Sequence, residues 1–240
     1  MAVYFVSDLH LDPGRPDAID RFLEFIRGEA AAADSLYILG DLFEAWIGDD
    51  DDEPGVVPIL TALRELTAAR VPCFFMHGNR DFLVGEAFTA ATGVQLLEEF
   101  AVVEIGGEPL LLTHGDLLCT DDTRYLTLRA QLRDPAWQRE FLAKPLGERR
   151  QIAAGLRQLS QTEMAAKSEE IMDVNAQAVS ETMERYGVHR LLHGHTHRPG
   201  LHHFPLGERE ALRVVLPDWY GSGGYVRWDR HGPELHLLKA

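Results

Sequence analysis

The sequence has little of several features that would place it in a special class of protein. Its 240 residues include only two cysteines, Cys73 and Cys119, without a CxxC spacing. This excludes a disulfide framework, and we expect two buried free thiols in a reducing cytosol. No apolar run approaches the roughly 18–20 residues that a membrane-spanning helix needs. The N-terminal segment lacks the basic region of a signal peptide, so we expect neither a signal peptide nor a transmembrane helix.

Basic residues are also scarce, with 23 Lys and Arg against 38 Asp and Glu and a formal net charge of −15. Because nucleic-acid binding depends on Lys and Arg at phosphates, we expect no nucleic-acid partner. An anionic substrate stays possible, since a bound metal ion can reverse the local field. Apolar residues make up 45% and charged residues 25% of the chain, which is ordinary for a folded protein. We expect one domain that covers residues 1–240.

The first third of the chain alternates short apolar runs with longer amphipathic segments. The runs Val3–Ser7, Ser35–Leu39 and Pro72–His77 predict buried strands, and helical spacing predicts helices at Pro16–Ala31 and Val56–Ala69. This β-α-β-α-β order predicts a parallel sheet with crossover helices. From residue 100 onward the pattern changes to hairpins, with a Gly-Gly turn at 106–107. The chain is therefore expected to be an α/β protein.

Residues 117–186 differ from the rest because they carry no strand signal. They are rich in Leu, Ala, Arg, Glu and Gln, and we expect a helical insertion between a strand ending at His114 and another near Arg190–His193. Insertions after strand ends commonly form lids over a site. Their periodic apolar side chains exceed what one core face needs, which predicts a lid that binds an apolar group.

Five polar clusters each follow an apolar strand-like run. Ligands of open α/β sheets bind beyond the carboxyl ends of strands, so these clusters predict one site. The clusters are Asp8-x-His10, Gly40-Asp41, Gly78-Asn79-Arg80-Asp81, His114-Gly115-Asp116 and Gly194-His195-Thr196-His197. Each motif alone is weak, because a DxH or a GD is usually a surface feature and Asn after Gly is usually a turn residue. Five of them at strand ends in one chain favour a functional site.

The residue types in these clusters indicate metal binding. Two carboxylates, four imidazoles and one amide oxygen are too many ligands for one ion and suit two ions that share a bridging carboxylate. Nitrogen and oxygen ligands without thiolate suit Mn²⁺, Fe²⁺ or Zn²⁺. The acidic run Asp49–Glu53 is expected to be a solvated loop, with a further metal-binding loop as the alternative.

The ordered set DLH, GDLFE, GNRD, H and GHTH resembles the calcineurin-like metallophosphoesterase superfamily, from Val3 to about His197. The resemblance implies a four-layer αββα sandwich and two divalent metal ions. It assigns the first ion to Asp8, His10, Asp41 and His197. It assigns the second ion to the bridging Asp41 together with Asn79, His114 and His195.

One position departs from the superfamily pattern. The superfamily usually has GNHD or GNHE, in which the His donates a proton or contacts phosphate, whereas this chain has Arg80. An arginine cannot act as a general acid at neutral pH, but its guanidinium suits bidentate contact with a phosphate. The substitution therefore favours a leaving group that needs no proton, such as a sugar phosphate.

Longer blocks are similar to one branch of the superfamily, the UDP-2,3-diacylglucosamine hydrolases of lipid A biosynthesis. These blocks are SDLHLD, GDLFEAWIGDD, GNRDFL and LTHGDLLCTDDTRYL. The resemblance implies cleavage of UDP-2,3-diacylglucosamine to UMP and 2,3-diacylglucosamine 1-phosphate, by metal-activated hydroxide attack on the α-phosphorus. It further implies two Mn²⁺ ions, a monomer, and peripheral contact with the cytoplasmic side of the inner membrane.

The same resemblance implies roles for particular side chains. Asp41, Arg80 and His195 would be catalytic. Substrate contacts would come from Asn79, Arg80, Asp122, Ser160, Met164, Lys167 and His195. Two alternatives remain open: a broad phosphodiesterase, nuclease or protein phosphatase of the same fold, and a non-catalytic scaffold with a decayed metal site. Decayed sites lose ligands, and all seven ligand positions here are filled by competent residues.

Overall fold

A computed structural model describes residues 2–166 and 173–238. The strands are β1 (Val3–Val6), β2 (Ser35–Leu39), β3 (Cys73–Met76), β4 (Gln95–Leu97), β5 (Phe100–Ile105), β6 (Glu108–Thr113), β7 (Arg190–His193), β8 (Gly200–Leu206), β9 (Arg209–Val215), β10 (Gly224–Asp229) and β11 (Gly232–Leu237). The helices are α1 (Pro16–Arg27), α2 (Val57–Ala68), α3 (Glu86–Thr92), α4 (Thr123–Leu132), α5 (Pro135–Leu142), α6 (Leu146–Ala166) and α7 (Ala176–Tyr186).

The first sheet has six strands in the order β11-β10-β1-β2-β3-β4. Strands β1 to β4 run parallel, β10 pairs antiparallel with β1, and β11 pairs antiparallel with β10. The predicted β-α-β-α-β start is confirmed. Helix α1 is shorter than predicted and ends at Arg27, because Gly28 has low helix propensity, and a 3₁₀ turn follows at Ala30–Ala32.

The second sheet has five strands in the order β5-β6-β7-β9-β8. Strands β5 and β6 form the predicted hairpin, and β6, β7 and β9 run parallel. The turn residues Gly106 and Gly107 have φ values of 64° and 84°. Two successive positive φ values are what a tight hairpin turn requires, and glycine adopts them without steric cost.

The two sheets pack face to face, with helices on both outer faces. Phe5, Leu39, Leu112, Leu192 and Trp228 belong to the core between the sheets. A second core lies between the first sheet and α1, α2 and α3. A third core lies between the second sheet and α7. The resulting four-layer αββα order is the fold class expected from the sequence.

Four helices, α4 to α7, lie between β6 and β7, and the described part of residues 117–186 contains no strand. Local chemistry sets their starts. Asp122 caps α4 by accepting from the Tyr125 N–H at 3.1 Å, and Asp134 caps α5 directly before Pro135. Helix α4 has no fully buried residue and α5 has only Phe141. The role of this segment as a lid stays a prediction.

The two cysteines are free and buried, as expected, and burial raises the pKa of each thiol to about 12. Among the described helices, none combines the length and the apolar character that a membrane span requires.

Candidate metal centre

The five polar clusters follow β1, β2, β3, β6 and β7 and meet at one edge of the sandwich. Backbone hydrogen bonds hold the loops together: the Asp8 N–H donates to the Gly40 carbonyl at 3.1 Å, and the Gly194 N–H donates to the His114 carbonyl at 2.8 Å. The carboxyl ends of strands from both sheets therefore converge, as the sequence predicted.

The backbone of these loops is unusual. Six described residues other than glycine have positive φ, and five of them are predicted metal ligands. These five are Asp8 (54°), His10 (48°), Asp41 (53°), His195 (67°) and His197 (53°). Each such conformation costs on the order of 1–3 kcal/mol and persists only where the surroundings enforce it. Backbone strain is thus concentrated where the sequence predicts chemistry.

The glycines of the motifs allow carboxylates to approach the backbone. A Cβ atom at Gly78 would lie 2.1 Å from Asp41 Oδ1, and a Cβ atom at Gly194 would lie 2.2 Å from Asp8 Oδ2. Any larger residue would displace these carboxylates. This explains why the GN and GH motifs begin with glycine.

One group of potential ligands consists of Asp8, His10 and His197, whose ligand atoms lie within 4.8 Å of one another. Asp8 is fully buried, and its Oδ2 accepts hydrogen bonds from Ser7 Oγ (2.6 Å) and from the His195 N–H (2.9 Å). Its Oδ1 lies 3.3 Å from His197 Nε2 and 4.0 Å from His10 Nε2. Oδ2 therefore fixes the carboxylate, and Oδ1 faces the two imidazoles.

The other group consists of Asp8, Asp41 and His114. His114 Nδ1 donates to the Leu39 carbonyl at 2.8 Å, and its Nε2 lies 3.0 Å from Asn79 Oδ1. In a neutral imidazole with that tautomer, Nε2 and the amide oxygen are both acceptors. Their approach calls for a cation or a proton between them. His195 Nδ1 lies 3.0 Å from the same amide oxygen.

The two groups share Asp8, while Asp41 lies between their imidazoles. Asp41 Oδ2 is 3.7 Å from His10 Nε2 and 3.9 Å from His114 Nε2. Its Oδ1 accepts from the Arg80 N–H at 2.8 Å. All seven predicted ligands are thus brought together, and Asp41 lies between His10 and His114.

The electrostatics of the cluster fit a bound cation. Burial raises the pKa of Asp41 to about 7, with Asp81 and Asp8 adding to the rise against the opposing charge of His114. Burial also lowers the pKa of His10 to about 3 and that of His195 to about 4, which keeps both imidazoles neutral. The pKa of Asp8 falls well below its usual range because the nearby imidazoles of His197, His114 and His10 outweigh the effect of its burial.

Two buried acceptor atoms support the same interpretation. Asp8 Oδ1 and His10 Nε2 are both buried without a hydrogen bond. Buried polar atoms without a partner are rare and require a reason. A divalent ion held by oxygen and nitrogen atoms supplies that reason, and the residues present fit one.

An apolar pocket begins beside this cluster and runs between the loop after β2 and helices α4, α5 and α6. Asn79 and Arg80 line its end at the cluster. Apolar side chains line most of the remainder: Ala45, Trp46, Ile47, Phe82, Leu83, Leu128, Leu132, Trp137, Phe141, Ala153 and Leu156. The buried Arg80 Nε has no hydrogen bond. The pocket thus joins a cationic, metal-binding end to an apolar wall.

The remaining predicted substrate contacts differ in where they lie relative to the pocket. Ser160 lines the pocket, whereas Asp122 is the α4 cap and is not among the described lining residues. The side chain of Met164 and the whole of Lys167 lie outside the described part of the chain.

Several buried polar residues were missed in the sequence. Asp81 accepts from the backbone N–H groups of Gly78, Asp41, Leu42 and Phe43, at 2.7–3.3 Å, and so holds two loops together. Asp116 accepts from Tyr125 Oη and Arg129 Nε, both at 2.6 Å. Asp81 and Asp116 lie within the polar clusters singled out in the sequence, and that position is the signal that could have identified them. A third such buried acid is Glu44, in the GDLFE motif.

The acidic run Asp49–Glu53 is neither a simply solvated loop nor part of the described ligand groups. Asp49 accepts from the N–H groups that begin α3, and Asp50 pairs with Arg149 of α6. Asp51 and Asp52 pair with Arg150. Through these contacts the acidic run, which is part of the loop after β2, binds α3 and α6. Sequence analysis could not find this role, because the partner arginines are about a hundred residues away.

The chain is similar to several known proteins. The family model for calcineurin-like phosphoesterases matches residues 1–199. A curated protein of Stenotrophomonas maltophilia (strain R551-3), named UDP-2,3-diacylglucosamine hydrolase, is 47% identical over 99% of both chains. One of Serratia proteamaculans (strain 568) with the same name is 49% identical over 98% of both chains. Among solved structures, an archaeal phosphodiesterase matches at a TM-score of 0.48 and 14% identity, covering 99% of this chain and 100% of its own.

Proposed function

Because this chain belongs to the calcineurin-like phosphoesterase family, we propose that it is a metal-dependent hydrolase of UDP-2,3-diacylglucosamine. The products are UMP and 2,3-diacylglucosamine 1-phosphate, an intermediate of lipid A biosynthesis. The observation that carries this proposal is the junction of the ligand cluster with an apolar pocket at Asn79 and Arg80. A diacylated sugar nucleotide has the matching pair of ends, one phosphorylated and one apolar.

Two divalent ions, which we take to be Mn²⁺, are held by the seven clustered side chains. Asp8, His10, Asp41 and His197 hold the first ion, and Asp41, Asn79, His114 and His195 hold the second. When bound, such a pair of ions polarises phosphoryl oxygens and lowers the pKa of water. The contacts of Asp41 with both groups of imidazoles support its place as the bridge.

Arg80 and His195 act on the phosphoryl oxygens. Arg80 stands at the end of the pocket beside Asn79, with its guanidinium available for a bidentate contact. It stabilises negative charge without donating a proton, which suits departure of a phosphate. The half-buried His195 ring, with Nδ1 3.0 Å from Asn79 Oδ1, stays next to the same oxygens. A fixed charge such as that of Arg80 and a fixed dipole such as that of His195 stabilise a transition state without reorganisation.

The acyl chains and the glucosamine occupy the pocket that α4, α5 and α6 border. Burial of a chain gains about 0.8 kcal/mol per CH₂ group, so even partial enclosure contributes strongly to affinity. Ser160 supplies a polar contact from α6. Asp122, Met164 and Lys167 are further contacts on this proposal.

The protein acts as a monomer bound peripherally to the cytoplasmic side of the inner membrane. Its substrate carries acyl chains that reside in a bilayer, and exposed Leu142 and Leu159 stand on the helices that border the pocket. Basic residues of the insertion add attraction to anionic lipid, at about 1 kcal/mol for each one near the surface.

Turnover of purified protein with UDP-2,3-diacylglucosamine, with and without Mn²⁺, tests the proposal. We expect UMP and the sugar phosphate to form only with metal. In ¹⁸O-labelled water the label should enter UMP, because the α-phosphorus is attacked. Label in the sugar phosphate would contradict the assigned phosphorus, and absence of turnover with metal would contradict the proposed substrate.

A further inference from the structure

Glu44 is a buried acid to which the proposed reaction gives no role. It lies three residues after Asp41 in the loop that follows β2, and only 3% of it is exposed. A buried carboxylate is costly unless it is paired and hydrogen-bonded. Its partners therefore indicate what it does.

Three side chains from three separate segments contact the Glu44 carboxylate. Tyr220 Oη donates to Oε2 at 3.0 Å, and Arg157 of α6 places Nη1 3.1 Å from Oε1. His10 Nδ1 lies 3.4 Å from Oε2, within ion-pair distance but without a hydrogen bond in this geometry. The carboxylate thus joins a predicted metal ligand to the helical insertion.

The two nitrogens of His10 face different carboxylates. Nδ1 faces Glu44, whereas Nε2 faces Asp8 Oδ1 and Asp41 Oδ2 at 4.0 and 3.7 Å. An imidazole with a metal on one nitrogen and a carboxylate at the other has its tautomer and ring orientation fixed. A proton on Nδ1 leaves the Nε2 lone pair directed at the ligand cluster.

The surroundings hold this arrangement in place. The Tyr220 ring stacks on the His10 ring with centroids 4.6 Å apart and 18° between planes. The Glu44 N–H donates to the Leu11 carbonyl at 3.1 Å, and Leu11 forms a parallel bridge with Phe43. The His10 and Glu44 loops are therefore in fixed register.

We propose that Glu44 is a positioning residue that orients His10 for metal binding and links His10 to α6 through Arg157. The inference rests on the proposed role of His10 as a metal ligand. Because linkage is reciprocal, docking of α6 and metal binding strengthen each other. A metal bound at the strand ends then stabilises the wall of the substrate pocket.

Calorimetric titration with Mn²⁺ alone tests the first half of the proposal. We expect Glu44→Ala to weaken one of two Mn²⁺ sites by about 10–100-fold, the usual effect of losing a partner of a metal-binding histidine. Glu44→Gln should weaken it less, because it keeps an oxygen acceptor beside Nδ1 although it loses the charge. Asp50→Ala is the matched control: it removes another carboxylate that binds α6 but does not contact His10, so its Mn²⁺ affinity should fall less than that of Glu44→Ala.

Hydrogen exchange tests the second half. Mn²⁺ should slow amide exchange in residues 146–160 of the wild type, and Glu44→Ala should abolish that effect. Wild-type affinity at both sites in Glu44→Ala, or an equal loss in Asp50→Ala, would overturn the role of Glu44. If Glu44→Ala does not fold, wild-type affinity and exchange in Glu44→Gln would overturn it instead. Failure of the wild type to bind Mn²⁺ would contradict the proposed metal centre itself.

Discussion

The strand-end loops and the helical insertion are built in opposite ways. In the loops, the predicted ligands are largely buried, and carboxylates such as Asp8 and Asp81 are tied to backbone N–H groups. In the insertion, α4 has no fully buried residue, and its neighbour α6 is held to the loop after β2 by ion pairs. On the proposed function, the loops would fix the positions of reacting groups, whereas the insertion would adjust to an apolar substrate.

Helix α6 is attached by ion pairs to the loop after β2, and its Leu146, Ile152 and Ala153 pack against the core. Arg149 is only 2% exposed, donates to the Ile47 carbonyl at 2.8 Å and forms a two-point contact with Asp50. Eight residues later, Arg157 reaches Glu44. Both acceptor acids lie in the same loop as Asp41. The insertion is thus attached to the loop that carries the predicted bridging ligand.

The largest effect should come from the loops. We expect Asp41→Ala to lower metal-dependent turnover by at least about 10³-fold, because it removes the ligand shared by both ions, each worth several kcal/mol at the transition state. Turnover with saturating Mn²⁺ measures this, and circular dichroism checks the fold. Asp20→Ala, an exposed acid on α1, is the control and should behave as wild type. Full activity of chelated Asp41→Ala would contradict the assignment.

The second-largest effect is expected for Arg80→Ala, in which kcat/KM should fall about 10–100-fold. Hydrogen bonds to a charged group are each worth about 1.5–3 kcal/mol, and this variant loses the contacts with the phosphates. Arg80→Lys keeps the charge but not the two-point geometry, so its kcat/KM should lie between that of the wild type and that of Arg80→Ala. Arg64→Ala, on the exposed side of α2, serves as control. Unchanged kinetics in Arg80→Ala would exclude this phosphate contact.

Membrane binding should depend on the insertion as a whole. Each single basic residue of the insertion should contribute only a small part of the binding free energy. Replacing the exposed Arg124 and Arg139 by Gln should weaken binding to anionic vesicles by about 1 kcal/mol for each residue close to the surface. Co-sedimentation at low and high salt measures this, and the exposed Arg209→Gln on β9 is the control. Equal loss in the control would mean that the insertion is not the membrane-facing region.

The smallest effect should be on stability. Asp50→Ala removes the partner of the buried Arg149 and should lower the free energy of unfolding by about 1–3 kcal/mol. For a protein of this size, that corresponds to a few degrees in Tm, or about 2–4 °C per kcal/mol. Asp52→Ala, whose partner Arg150 is exposed, should leave Tm unchanged. A larger loss in Asp52→Ala would mean that buried charge does not govern the attachment.

The strand-end loops could be predicted from the sequence, whereas the attachment of the helical insertion could not. Strands β1 to β3 and the ligand loops were predictable, because apolar runs and the polar residues after them are local signals. The attachment of α6 was not, since Arg149 and Asp50 are 99 residues apart and no periodicity connects them. The edge strand β4 has only three residues, too few for a pattern. Glu44 stood in a recognised motif, but its partners Tyr220 and Arg157 are set by tertiary packing.

On the proposed function, a rigid metal centre and an adaptable apolar wall act on one substrate. The most direct test compares kcat/KM for UDP-2,3-diacylglucosamine with kcat/KM for the same UDP-sugar without acyl chains, in the presence of Mn²⁺. Since each buried CH₂ group contributes about 0.8 kcal/mol, burial of only four should give a preference on the order of 10²-fold for the diacylated substrate. Equal values for the two substrates would contradict the account and reduce the insertion to a structural cap.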